Sequence, residues 1–113
     1  MYQRILVPVD GSSTSDRGLD EAIQLAKLTG GRLRLAHVID ELSFALAMDA
    51  YAGIAGNWLE ELRGNAVKLL EAARAKAAKA GVQADTVLLD QFKGTVHDQI
   101  VAQAQACKAD LIV

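Results

Sequence analysis

The chain opens on an unbroken apolar run, Ile5 to Val9, that ends abruptly in Asp10-Gly11-Ser12-Ser13-Thr14-Ser15. A continuous run of this kind predicts the central strand of a parallel sheet, covered on both faces. Pro8 fits a strand only near its end. Beyond the polar turn, Leu19, Ala22, Ile23 and Ala26 recur at helical spacing. They predict an amphipathic helix capped by Ser13, Thr14 or Ser15 and stopped by Gly30-Gly31.

The period then switches back. Arg32 to Ile39 reads as a second strand, with Leu33 and Leu35 alternating against Arg34. Residues Asp40 to Asn57, with Gly53 and Gly56, are long for a connection; they are expected on the carboxyl side of the sheet and mobile without ligand. Trp58 to Ala80 predicts the longest helix, its inner stripe Leu59, Leu62, Ala66, Leu69, Ala73 and Ala77, ended by Gly81. Ala84 to Leu89 reads as a third strand. Thr95 with Asp98 resembles a capping box opening a third helix, whose inner stripe is Val96, Ile100, Val101 and Ala104. Leu111-Ile112-Val113 begins a fourth strand.

Strands alternating with helices imply parallel pairing through right-handed crossovers. The expectation is one α/β domain over residues 1–113, an open parallel sheet with helices on both faces. Its predicted strand order is 3-2-1-4, with the first strand inside because its apolar run is the least interrupted.

Composition adds exclusions. The 113 residues carry a formal charge of −2, so no global field draws the chain to nucleic acid or to an anionic membrane. Aromatic residues are only 4% and alanine is abundant, which suits helices packed closely on a sheet. The single cysteine, Cys107, excludes a disulfide framework and reads as a small buried hydrophobe on a helix. No apolar run reaches the ~18 residues of a membrane span, and the first run is too short for a signal-peptide core. The expected location is the cytoplasm.

The best candidate site is the turn after the first strand. In open parallel sheets, ligands bind at the carboxyl ends of the strands, near the point where strand order reverses. Asp10 stands at such an end. Its carboxylate can accept from sugar hydroxyls or hold a metal that bridges to phosphates. Gly11 lets a ligand approach the backbone, and the free N–H groups of the helix start favour an anion. The alternative is that Asp10 and the hydroxyls only shape the turn and cap the helix. His37, near the end of the second strand, reads as a strand residue satisfied by a neighbour yet close to any ligand there. His97 is expected to face solvent and Trp58 to pack. No metal-ligand spacing and no serine with a base and orienter is visible, so nucleophilic catalysis lacks support.

Ile5-Leu6-Val7-Pro8-Val9-Asp10-Gly11-Ser12 with Ser15, Leu35-Ala36-His37-Val38-Ile39 and Ala109-Asp110-Leu111-Ile112-Val113 together resemble the universal stress protein (UspA-like) family. This is a branch of the adenine-nucleotide-binding, Rossmann-like α/β domains (the adenine-nucleotide alpha hydrolase-like group). The resemblance covers the whole chain. It implies that Val9, Asp10, Gly11 and Val38 line an adenosine site, Asp10 as the polar member and Val9 and Val38 as apolar walls. It further implies ATP or another adenine nucleotide as cofactor, with Mg accompanying the phosphates. The site is expected between the carboxyl ends of strands one and four.

One departure counts against full binding. ATP-binding members carry a glycine motif, G-x2-G-x9-G-[ST], after the fourth strand, then a fifth strand that often forms the dimer seam. The sequence stops at Val113, before both, so weak or absent ATP binding is expected of the 113-residue form. Gly53-Ile54-Ala55-Gly56 imitates the first half of that motif in the wrong place and reads as loop glycine. Three functional readings follow from the resemblance: a stress-response nucleotide-binding or signalling module, a family member without ATP that acts through protein contacts, and an enzyme of the nucleotidyl-transfer kind. Enzymes of the last group usually bear a histidine near the first turn, and Asp10 to Ser15 has none. The unpaired edge of the fourth strand is expected to be covered either by further residues or by a second subunit, a homodimer being the simplest form of the second case.

Overall fold

The computed structural model describes residues 2–39, 45, 58–90 and 95–113. The expectations for Asp40 to Asn57 and for the packing of Trp58 lie outside what it describes. Seven elements follow in order: β1 (Arg4–Pro8), α1 (Ser13–Thr29), β2 (Arg32–Val38), α2 (Trp58–Lys79), β3 (Ala84–Leu89), α3 (Val96–Ala106) and β4 (Leu111–Ile112). All pairings are parallel, in the order β3-β2-β1-β4. β1 is therefore interior, as its apolar run predicts.

Two layers bury the sheet. Side chains alternate across a strand, so Ile5, Val7 and Val9 face one way and Leu6 the other. The first set meets Leu33 and Leu35 of β2, Leu19, Ala22, Ile23 and Ala26 of α1, and Leu70, Ala73 and Ala77 of α2. The second layer is smaller: Leu6 and Ala36 under Ile100 and Ala104 of α3. Right-handed crossovers explain the division. The chain moves from β1 to β3 in one direction, with α1 and α2 on one face, then returns to β4 with α3 on the other. Burying each large apolar side chain contributes ~1.5–3 kcal/mol, so the β1–β2 centre is the main source of stability.

Helix ends follow local chemistry. Ser12, one residue before the expected caps, is the N-cap of α1, its Oγ accepting from the Ser15 N–H. The reason is Asp10, whose turn brings Ser12 into extended geometry and leaves Ser13 already helical. Gly30 closes α1 at φ 71°, a left-handed conformation that side chains resist. Thr95 and Asp98 form the full reciprocal capping box of α3. Within α2 the buried stripe is Ala66, Leu70, Ala73 and Ala77; Leu69 is only half-buried, because it lies at the flank of the stripe and reaches toward Gly11. Val96 is not part of the inner stripe of α3: as the first helical residue it is 42% exposed. Cys107 is the C-cap of α3 and half-exposed, not a buried helix residue. Among the described residues no helix is long and apolar enough to cross a membrane.

Candidate functional site

The carboxyl ends of β1 and β2 enclose a cleft of about 310 Å³, lined by Pro8, Val9, Asp10, Ala36, His37, Val38 and, from α3, Val96. Its size is at the lower limit of small-molecule sites, which run ~300–1,000 Å³. Val9, Asp10 and Val38 are thus brought together. They meet on the β1–β2 side of the sheet, though, not between strands one and four. Val38 is on β2, and β2 and β4 flank β1 on opposite sides.

Asp10 is exposed at the mouth. Its Oδ1 accepts from the Ser12 N–H at 2.9 Å, and its own N–H donates to Ser15 Oγ at 3.0 Å. These bonds fix the carboxylate in place. Its other oxygen, Oδ2, accepts no hydrogen bond of good geometry among the described residues, although the Ser12 and Ser15 hydroxyls lie near the carboxylate. Hydrogen bonding from Ser12, through side chain and backbone, holds the Asp10 carboxyl below its ordinary value of 3.8; the charge of His37 and the Ser15 hydroxyl add to this, against partial burial. Asp10 is therefore ionised at neutral pH. Asp10 shapes the turn, as the structural reading of the sequence expects.

His37 joins the two strands. Its Nδ1 lies 2.7 Å from the Val9 carbonyl oxygen. A carbonyl can only accept, so Nδ1 carries a proton and donates, and Nε2 is left facing away from this bond. His37 is thus satisfied by a neighbour, as expected, and also lines the cleft.

Val9 is 5% exposed and belongs to the core layer under α1 and α2. Its main chain is also engaged, since its N–H donates to the Ala36 carbonyl at 2.8 Å. Val38, half-buried, and Val96 are the open apolar surfaces of the cleft. Gly11 sits beside the cleft with φ 82°, and a Cβ there would come 3.3 Å from Leu69 Cδ1. Its task is to turn the backbone. Sequence reasoning missed Val96 and Pro8 as lining residues. Only the position of Val96 just after the cap of α3 hinted that it is not core. His97, as expected, is exposed.

No group of three or more metal-ligating side chains occurs among the described residues. Among the described residues Asp10 is the carboxylate that lines the cleft, so a metal held by these residues would need further ligands such as phosphate oxygens.

Comparison with known proteins agrees with this architecture. The model of the universal stress protein family matches residues 1–113. Universal stress protein YxiE of Bacillus subtilis is 31% identical over 118 residues, covering 100% of this chain and 78% of that protein. The universal stress protein of Archaeoglobus fulgidus in complex with dAMP has a similar structure: TM-score 0.74, 26% identity, 98% of this chain and 78% of that one. A universal stress protein in complex with cAMP gives TM-score 0.70 at 26% identity, over 98% of this chain and 70% of that one. The chain belongs to the universal stress protein family.

Proposed function

We propose that this chain is an adenine-nucleotide-binding module whose cleft at the ends of β1 and β2 receives the adenosine part of the ligand. The observation that carries the reading is an ionised Asp10 beside an apolar cleft, its Oδ1 bonded by the Ser12 N–H and its Oδ2 without a hydrogen bond of good geometry among the described residues. A carboxylate so placed accepts from a pair of sugar hydroxyls or from one hydroxyl and an amine. Val38 and Val96 offer adenine apolar contact, and Nε2 of His37 offers a further polar contact. The relatives crystallised with dAMP and cAMP share adenosine or deoxyadenosine and a single phosphate, which favours recognition of the nucleoside over a long phosphate chain. The residues present fit the nucleoside. When bound, a nucleotide would supply a charged group for signalling, with Mg carried by the phosphates. The cytoplasm is the compartment where such a ligand is abundant.

The outer edge of β4 has no partner strand among the described residues, and Ile112 and Val113 are 43% and 41% exposed there; a strand from further residues or from a second copy would cover it, a homodimer being the simplest form of the latter. A partner-contact role without nucleotide is the alternative for the same surface. Titrating AMP into the isotopically labelled chain tests the main reading. It predicts saturable amide shifts at Asp10, Gly11, Val38 and Val96. Shifts confined to other surfaces, or none at millimolar AMP, would overturn it.

A further inference from the structure

The opposite end of the sheet holds a second cleft, of about 220 Å³, lined by Arg4, Arg32, Arg34, Asp85 and Cys107. Strand register brings these residues together. Arg4 and Arg32 are directly paired positions of β1 and β2, and Arg34 and Asp85 are paired positions of β2 and β3. Side-chain alternation puts all four on the face that α3 covers. α3 ends at Ala106, so this part of the sheet has no helical roof, and the apolar pattern of the face gives way to charge.

The charges there do not balance. Arg34 donates to both carboxylate oxygens of Asp85, from Nε to Oδ1 at 3.0 Å and from Nη2 to Oδ2 at 3.1 Å. That pair uses the one acid of the cleft. The nearby Asp110 carboxylate accepts from the backbone N–H groups of Gln3 and Arg4, at 2.9 and 3.1 Å; it keeps its charge, so three arginines face two acids and a net positive charge remains. Arg4 and Arg32 have no ion pair among the described residues. Like charges at directly opposite positions of neighbouring strands repel. The C-terminus of α3 offers only about half a negative charge, too little to offset two guanidiniums.

We propose that this cleft binds a small phosphorylated anion, with Arg4 and Arg32 donating to its oxygens and the Asp85-held Arg34 supplying a third fixed cation. Guanidiniums match tetrahedral oxyanions through paired, charge-assisted N–H donors. The volume is below that of sites for drug-sized ligands, so the occupant is of pyrophosphate size and not a whole nucleotide. Asp10 lies six residue steps of extended chain beyond Arg4, ~20 Å at the usual rise, so the two clefts are separate and can be filled together.

Cys107 makes the proposal measurable. It is the only cysteine in the sequence and lines the cleft, so its alkylation by neutral iodoacetamide reports occupancy. Pyrophosphate is added to the full chain at ionic strength held constant with sodium chloride. The expected result is saturable slowing of alkylation in the wild type. In an Arg4→Gln/Arg32→Gln variant, the half-protecting concentration should rise about tenfold or more, since each charge-assisted bond lost weakens binding by that order. Circular dichroism checks the fold of the variant. Should it not fold, arginine Nε–H resonances of the wild type decide: shifts of Arg4 and Arg32 with pyrophosphate support the site. Alkylation unaffected by pyrophosphate, equal protection in wild type and variant (an adventitious ion only), or unmoved Arg4 and Arg32 resonances would overturn it.

Discussion

Nδ1 of His37 donates to the carbonyl oxygen of Val9 across 2.7 Å, joining the end of β2 to the last residue before the Asp10 turn. The bond lies just past the β1–β2 ladder, whose final register pair is Pro8 with Ala36. It therefore holds the two halves of the candidate cleft at a fixed spacing. His37→Ala removes the donor and leaves a part-buried carbonyl without its partner. Such an orphaned group costs ~1–3 kcal/mol, and urea denaturation should show a loss in that range. A variant as stable as the wild type would mean that water replaces the imidazole without cost.

The pH response of the turn has a definite sign. Hydrogen bonds from Ser12 lower the Asp10 carboxyl below its ordinary 3.8. A depressed carboxyl stabilises the fold above its unfolded value, and that contribution is lost as pH falls through the folded one. The Ser12 amide, which donates to Asp10 Oδ1, should titrate with a midpoint below 3.8 in an NMR series. A midpoint above 4 would show that the carboxylate is not held as described.

Two glycines should respond to alanine in opposite directions. At Gly31 a Cβ would come 2.6 Å from the Tyr2 carbonyl oxygen and 3.1 Å from Gln3 Cα, so backbone must shift. Gly31→Ala should lower stability by ~1–3 kcal/mol, as overpacking does. At Gly64, within α2, a Cβ would meet nothing within 4 Å. Gly64→Ala should raise stability by ~0.5–1 kcal/mol through helix propensity. Thermal melts of both variants check the pair, and equal shifts would contradict it.

Leu35 is fully buried between the sheet and the α1–α2 layer. Leu35→Ala should cost ~2–5 kcal/mol, the range for a large-to-small change in a packed core. Ile112→Ala, at a position 43% exposed, should cost far less. Chemical denaturation of the two variants compares them. A similar loss at both positions would mean that the core is not centred on β1 and β2.

Most of the fold was legible in the sequence because its signals are local. The unbroken Ile5–Val9 run marked the interior strand, and Thr95 with Asp98 marked a helix start. Where the sequence reading slipped, the cause was tertiary. Ser12 caps α1, not Ser13 to Ser15, because the Asp10 carboxylate organises the turn one residue earlier. Leu70 is buried ahead of Leu69 because both satisfy helical spacing and only packing chooses between them. Val96 left the inner stripe of α3 because it opens the helix above the cleft. Of the candidate site, Asp10 was legible from its strand end, and Val38 came only through the family resemblance. The engaged state of Val9 was not legible, since burial of an end residue depends on the opposite helix layer. The arginine cleft was invisible until register paired Arg4 with Arg32.

The account rests on Asp10 as the polar anchor for adenosine, and calorimetric titration of AMP into the wild type and Asp10→Ala measures that directly. Hydrogen bonds to a charged group contribute ~1.5–3 kcal/mol, so the variant should bind about ten- to a hundredfold more weakly with its fold intact by circular dichroism. Equal affinity of the two proteins for AMP would contradict the assignment of the cleft.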